Sequence, residues 1–555
     1  MTSTTRLTVA QATVRFLANQ YVERDGVRTK LFAGALGIFG HGNVAGLGQA
    51  LLQDELEALD AGREPGLPYV LGRNEQAMVH TAVAYARAKD RLQTWAITAS
   101  VGPGSTNMLT GAALATINRL PVLLLPADTF ATRSAGPLLQ ELELPASGDV
   151  TVNDAFRPLS RYFDRVWRPE QLPGALLGAI RVLTDPAETG AVTVCFPQDV
   201  QAEAHDWEDD LFAERTWHVG RPLPERAALA RAVEVIRSAK NPLLIAGGGV
   251  HYSGAAGGGG ALDRFAQATG IPVGQSQAGK GALPFDHPQS VGAIGSTGTT
   301  AANALAREAD VVIGVGTRFQ DFTTASRTAY QNPEVRFVTL NVASLDAAKH
   351  SAVSVVADAK EGLEALAAAL EGYDVGDAHR ARTAELKAAW DATVASVYSR
   401  DSSGSTGDLD AQPDQNQVLG AVNELSDPRD VVVCAAGSMP GDLHKLWQVR
   451  DAKGYHVEYG YSCMGYEVAG GIGVAMAARS DSAADAAAGL APRDVFVMVG
   501  DGSYLMMATE LVTAVQEGVK IIIVLVQNHG YASIGSLSES LGSQRFGTRY
   551  RARTS

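Results

Sequence analysis

The sequence predicts an α/β protein made of three doubly wound parallel-sheet domains, the first and last of them related to one another. Three observations carry this. Apolar runs of strand length alternate with helical patterns along the chain, which is how crossover helices feed a parallel sheet. Glycine-rich turns close several of these runs, as in ITASVGPGS, PLLIAGGGV and VMVGDGS. Two segments near opposite ends also read alike, strand, G-x-G-Ser, helix, strand: AITASVGPGSTNMLTGAALATINRLPVLLLPAD and VFVMVGDGSYLMMATELVTAVQEGVKIIIVLVQN. The length of 555 residues suits three or four domains, and 46% hydrophobic content is ample for buried cores.

Taken in order, KLFAGALGIFG, QTWAITAS, PVLLLP and AVTVCFP read as strands of a first domain over residues 1–205. After the polar connection EDDLFAERTWHVGRPLPER, a second domain over 220–375 has strands in PLLIAGGGV, DVVIGVGTRF, VRFVTLNV and VSVVADA. Residues 376–415 read as a charged helix followed by a Ser/Gly/Asp-rich linker. The last domain, 416–555, opens with DVVVCAAGSMPGD, and within it RSDSAADAAAGLAPRD reads as a small, polar surface loop. In the repeated segments Gly102 to Asp128 spans 128 − 102 = 26 residues and Gly500 to Asn528 spans 528 − 500 = 28.

Composition narrows the class. A formal charge of −14 and the lack of a basic run argue against a nucleic-acid partner. No apolar stretch reaches ~20 residues, so no membrane span is expected. The N-terminal MTSTTRLTVAQATVRFL lacks the layout of a secretory signal, which makes the cytoplasm the default. Cys195, Cys434 and Cys463 read as core thiols of a reducing compartment, not as a disulfide or zinc framework.

The sharpest chemical signal is a pair of polar residues at two strand ends. Gly500-Asp501-Gly502 closes DVFVMV, and Asn528 closes IIIVLVQ, 528 − 501 = 27 residues after Asp501. Between them ATELVTAVQEG has helical spacing and stops at Gly518, so the stretch reads as a right-handed β-α-β unit. Ligands gather beyond the carboxyl ends of such strands. One carboxylate and one carboxamide suit an octahedral Mg²⁺ carrying a diphosphate, with Gly500 and Gly502 admitting close backbone approach and the next helix offering amides to the anion. The spacing alone is equally that of an ordinary tight turn.

This motif resembles the diphosphate-binding signature of thiamine-diphosphate (ThDP) enzymes, with Gln527 replacing the first residue of that family's Asn pair and Asn528 keeping the second. The resemblance implies ThDP and Mg²⁺ as cofactors, with Asp501, Asn528 and the Gly530 carbonyl on the metal and Gly500, Gly502 and Ser503 at the cofactor. It implies a glutamate early in the chain, and LGRNEQAMVHTAVAYAR carries Glu75 at a helix start. Bonded to the pyrimidine N1′, such a glutamate favours the imino form whose N4′ removes the C2 proton. For that its carboxyl must hold or share a proton near neutral pH, which a desolvated site favours. On local evidence alone Glu75 reads first as a first-turn residue stabilising its helix. In YGYSCMGYEVAGGIGVAMA, Met464 stands where the family places the bulky residue that bends the cofactor, and the Ser462 carbonyl where it accepts from the 4′-amino group. Met464 would serve as well in a core. GSMPGD resembles the loop under the diphosphate, with Ser438 as a donor.

Longer stretches, FGHGNVAGLGQAL, GKGALPFDHPQSVGAIGSTGTTAAN and NHGYASIGSLSESLGSQRFGTRYR among them, resemble the branch of trihydroxycyclohexane-1,2-dione hydrolases of myo-inositol catabolism. That branch implies hydrolytic C–C cleavage of a cyclic polyhydroxy dione to 5-deoxy-glucuronate. His41 and Asn43, in a Gly-rich loop, and His529 are candidates to meet such a substrate. The GGG at 247–249 lacks a full dinucleotide fingerprint. The family layout implies a homodimer or homotetramer with active sites between subunits. An acetolactate-synthase-like carboligase or decarboxylase, or a non-catalytic relative, are the alternatives. The sequence stops 555 − 528 = 27 residues past Asn528, where family members continue, so the last domain is expected to be incomplete and the 555-residue product impaired in solubility or cofactor binding.

Overall fold

The computed structural model describes residues 3–134, 136, 138–399 and 413–551. The expected linker over 401–412 and the last residues, 552–555, lie outside them. The chain forms two compact units, one of Met1–Gly220, Gly460–Leu490 and Ser503–Ile522, the other of Arg221–Tyr459, Ala491–Gly502 and Ile523–Ser555. No helix among the described residues is long and apolar enough to cross a membrane.

The first unit is organised by a six-stranded parallel sheet of β1 (Phe32–Gly37), β2 (Tyr69–Leu71), β3 (Thr94–Ala99), β4 (Val122–Asp128), β5 (Tyr162–Arg165) and β6 (Ala191–Pro197), in the order β2-β1-β3-β4-β6-β5. The central strands TWAITA and VLLLPAD are buried at every position, as both faces of a covered parallel sheet require. Between β2 and β3 runs α1 (Glu75–Ala88), whose start is fixed by Asn74: its side chain accepts from the amides of Gln76 and Ala77. Between β3 and β4 the helical stretch breaks into α2 (Pro103–Asn107) and α3 (Leu109–Asn118).

The second unit holds two sheets. The larger comprises β7 (Pro242–Ala246), β8 (Val273–Gln275), β9 (Ser290–Ala293), β10 (Val311–Val315), β11 (Arg336–Asn341) and β12 (Val353–Val356), ordered β9-β8-β7-β10-β11-β12. The charged helix foreseen after it is α4 (Asp377–Tyr398). The smaller sheet comprises β13 (Val431–Cys434), β14 (Tyr455–Val457), β15 (Val495–Gly500) and β16 (Ile522–Val526), ordered β14-β13-β15-β16. Helix α5 (Met439–Leu446) follows β13.

The segment after β14 forms α6 (Tyr466–Ala487) and belongs to the first unit, where it packs along α1: the Thr81 hydroxyl donates to the Ala469 carbonyl at 3.0 Å. A side chain at Gly473 would put its Cβ 2.2 Å from the Thr81 carbonyl oxygen, so this close approach needs glycine. The stretch RSDSAADAAAGLAPRD, expected as a loop, is instead helical as far as Ala487. Its alanines sustain helix propagation, and its polar residues end up on exposed turns. Beyond β15 come α7 (Asp501–Met507), a short turn over Ala508–Glu510, and α8 (Leu511–Gln516), the same broken helix seen between β3 and β4.

Candidate active site

In the second unit the turn after β15 and the loop after β16 converge on Asp501. This carboxylate is 7% exposed and collects backbone amides: Gly502 donates to Oδ1 at 3.1 Å and Gly530 to Oδ2 at 3.2 Å. The Asn528 side-chain oxygen stands 3.2 Å from Asp501 Oδ1 and 3.0 Å from the Gly530 carbonyl oxygen. Three oxygens so close are satisfied in one of two ways. The amide turns over and donates to both neighbours, or a cation sits among them. Adjacent ligands of an octahedral Mg²⁺ at 2.0–2.1 Å are about 2.9 Å apart, and N–H···O bonds span the same range, so the separations fit either. Among the described residues no group of three or more His, Cys, Asp or Glu is placed to hold a metal ion, and the donor set here is mixed: carboxylate, carboxamide and carbonyl.

The loop is held rigidly. Gly530 has φ 142° and pairs with Arg549, the Tyr531 amide donates to the Thr548 carbonyl at 2.8 Å, and Tyr550 donates to the His529 carbonyl at 3.0 Å. The RFGTRYR stretch thus returns after α9 (Ala532–Ser540) to pin the loop after β16. Gly500 faces open space apart from Asn528, whereas a Cβ at Gly502 would meet the Tyr531 ring at 2.8 Å and the Gly530 oxygen at 2.9 Å. His529 is exposed, and its ring lies 3.3 Å from the Gln527 side chain. Ser438 is exposed at the start of α5, where it makes no side-chain cap bond.

In the first unit Glu75 opens α1 and is 8% exposed. Its Oε2 accepts from Asn107 Nδ2 at 2.9 Å, and Oε1 has no hydrogen-bond partner among the described residues. A Cβ at Gly104 would sit 3.2 Å from that Oε1, so the turn into α2 stays clear of the carboxylate. Asn107 was not foreseen. Its only sequence signal is its place in GPGSTN, the counterpart of the GDGS turn after β15.

The Met464 loop belongs to the same unit. Ser462 has φ 52° and Gly465 has φ 85°, so the backbone bends sharply on either side of Cys463 and Met464. Ser503 holds this bend: its hydroxyl accepts from the Gly465 amide at 2.7 Å and donates to Glu467 at 2.7 Å. For Ser503, expected at the cofactor, the hydroxyl proton and one acceptor position are thus taken inside the loop. Cys463 faces α1, 3.7 Å from Gln76 Nε2 and 4.0 Å from His80 Nε2. Burial pushes His80 down to about 3, so its ring is neutral.

The first Gly-rich loop separates its two candidates. His41 is exposed, and its carbonyl accepts from the Val101 amide at 3.0 Å. Asn43 is fully buried, accepts from the Gly40 amide at 2.9 Å and donates to the Ile38 carbonyl at 3.1 Å. It shapes the loop and is not available to a substrate.

Three segments match known domains: residues 38–146 the N-terminal TPP binding domain of thiamine pyrophosphate enzymes, 229–366 their central domain and 435–554 their C-terminal TPP binding domain. Relatives named 3D-(3,5/4)-trihydroxycyclohexane-1,2-dione hydrolase, from Bacillus thuringiensis (strain Al Hakam), Bacillus cereus (strain 03BB102) and Bacillus anthracis (strain A0248), are each 46% identical over 567 positions, covering 99% of this chain and 84% of the relative. With all three domains present in family order, this chain belongs to the thiamine pyrophosphate (ThDP) enzymes.

Proposed function

We propose that the chain is a ThDP- and Mg²⁺-dependent hydrolase that opens the ring of 3D-(3,5/4)-trihydroxycyclohexane-1,2-dione by C–C cleavage, giving 5-deoxy-glucuronate in myo-inositol catabolism. The observation that carries this is 46% identity across 99% of the chain to proteins bearing that name. Bound ThDP supplies a nucleophilic carbon and an electron sink for bond cleavage. The chain's own residues do the rest. Asp501, Asn528 and the Gly530 carbonyl take Mg²⁺, and Gly500 and Gly502 let the diphosphate approach the backbone. Glu75 holds a proton at the pyrimidine N1′ through Oε1, the oxygen that Asn107 leaves free. Met464 props the cofactor, and the Ser462 carbonyl takes its 4′-amino group. Ser503 acts on both through the Gly465 amide. His41, exposed on its loop, is assigned to the substrate, and Ser438 to the diphosphate.

As in the family layout, the active form is proposed to be a homodimer or homotetramer with sites shared between subunits, located in the cytoplasm. The reaction is tested by supplying the purified protein with ThDP and Mg²⁺ and offering either the cyclic dione or pyruvate. Formation of 5-deoxy-glucuronate from the dione is expected. Turnover of pyruvate alone would place the chain with the carboligases and decarboxylases instead.

A further inference from the structure

Glu510 lies in the short turn between α7 and α8, and at 2% exposure it is one of the most deeply buried carboxylates of the first unit. A buried carboxylate is costly unless its oxygens are satisfied. Here Oε1 accepts from the Arg73 backbone amide at 3.1 Å and Oε2 from the Thr513 hydroxyl at 2.7 Å. Burial pushes its carboxyl above the ordinary range, and bonds from Thr513 and from the Arg73 and Asn74 amides pull it back. The Arg73 guanidinium reaches the same segment, donating to Gln516 Oε1 at 2.5 Å.

What Glu510 grips is the turn just before Glu75. Asn74 is the N-cap of α1, and its own side chain is occupied with the Gln76 and Ala77 amides, so it cannot also satisfy the amides ahead of it. Glu510 fills that gap. The Glu75 side chain is anchored by Asn107, and its backbone approach by Glu510. An acid–base group works only if held to within about 0.5 Å of its productive place, and a backbone shift moves the whole side chain.

We propose that Glu510 is a positioning residue for the cofactor's proton chemistry, setting where the Glu75 carboxyl meets the aminopyrimidine of ThDP by holding the Arg73–Asn74 backbone. This rests on the assignment of Glu75 to N1′. The side chain acts through its acceptor oxygens, so a glutamine, which keeps one, preserves the grip, whereas a methionine of similar length has none.

Two readouts test it. In the apo protein, amide hydrogen exchange followed by mass spectrometry reports the Arg73–Asn74 backbone. In the protein saturated with ThDP and Mg²⁺, acid quench and NMR report exchange of the cofactor's C2 proton. Glu510→Met is expected to speed amide exchange at this turn and to slow C2 exchange by about tenfold or more, the scale of a small misplacement of a catalytic group. Glu510→Gln should stay close to the native protein in both. Glu75→Ala separates the two ideas. If it leaves C2 exchange fast, the assignment of Glu75 is wrong. If it slows exchange while Glu510→Met does not, the positioning role is overturned. Should Glu510→Met not fold, Thr513→Val, which removes the hydroxyl orienting Oε2, is expected to shift both readouts in the same directions, and unchanged values would overturn the proposal.

Discussion

One terminal atom of the Asn528 carboxamide stands 3.0 Å from the Gly530 carbonyl oxygen and 3.2 Å from Asp501 Oδ1. With Asp501 proposed as a Mg²⁺ ligand, its loss is expected to separate cofactor binding from folding. ThDP with Mg²⁺ at a hundredfold over Kd is expected to stabilise the native protein by about 2.7 kcal/mol, seen as a thermal shift. Asp501→Ala should abolish that shift. A persistent shift would place the metal elsewhere.

Gly502→Ala puts a methyl group against the Tyr531 ring and the Gly530 oxygen. The ring can swing aside, but the carbonyl is pinned by the pairing with Arg549. The expected result is a stably folded protein with ThDP–Mg²⁺ affinity reduced about tenfold, or about 1.4 kcal/mol, by calorimetry. Native affinity would show that Gly530 can shift without consequence.

Asp128 ends β4 fully buried, 2.5 Å from the Arg165 guanidinium, whose side chain is 6% exposed. Asp128→Ala leaves that guanidinium with Asp154 and Thr151 alone. Breaking a buried pair on one side costs about 3–5 kcal/mol, so a large fall in the urea midpoint is expected. Replacing both partners by apolar residues should recover part of it.

Lys280 gives a signed pH prediction. Its ammonium donates to the His444 carbonyl at 2.7 Å in the second unit, and burial pushes its pKa from 10.5 down to about 7. Between about pH 7 and 10.5 the unfolded chain therefore holds a proton that the folded chain has lost. Stability from this group rises with pH across that window and falls as pH drops towards 7. Urea unfolding of the native protein and Lys280→Met over this range should show the rise in the former only.

The strand ends and helix starts were legible because they obey local rules. Asp501 and Asn528 terminate apolar runs, so their spacing marked them as a pair, while Glu75 follows a capping Asn and was singled out by the family resemblance. What stayed hidden was long-range side-chain pairing. Asn107 meets Glu75 across 32 residues and Ser503 meets Glu467 across 36, and no periodicity records such contacts. Asn43 misled for a related reason: in a Gly-rich loop a polar residue reads the same whether it faces a ligand or its own backbone. The helical stretch after Arg479 was missed because small polar residues without an apolar stripe look like a loop, although alanine sustains a helix that solvent surrounds.

The matching strand orders, β2-β1-β3-β4 and β14-β13-β15-β16, make α1 and α6 counterparts, each following the edge strand of its own copy. These counterparts clasp each other. Each repeat thus buries its helix against the other's, and the two clasped ends differ: one begins with a carboxylate, the other with the bend that carries Met464. The clasp is closed by an absence. One methyl group at position 473 would press on the Thr81 carbonyl and pry the two helices apart, shifting the start of α1 that carries Glu75.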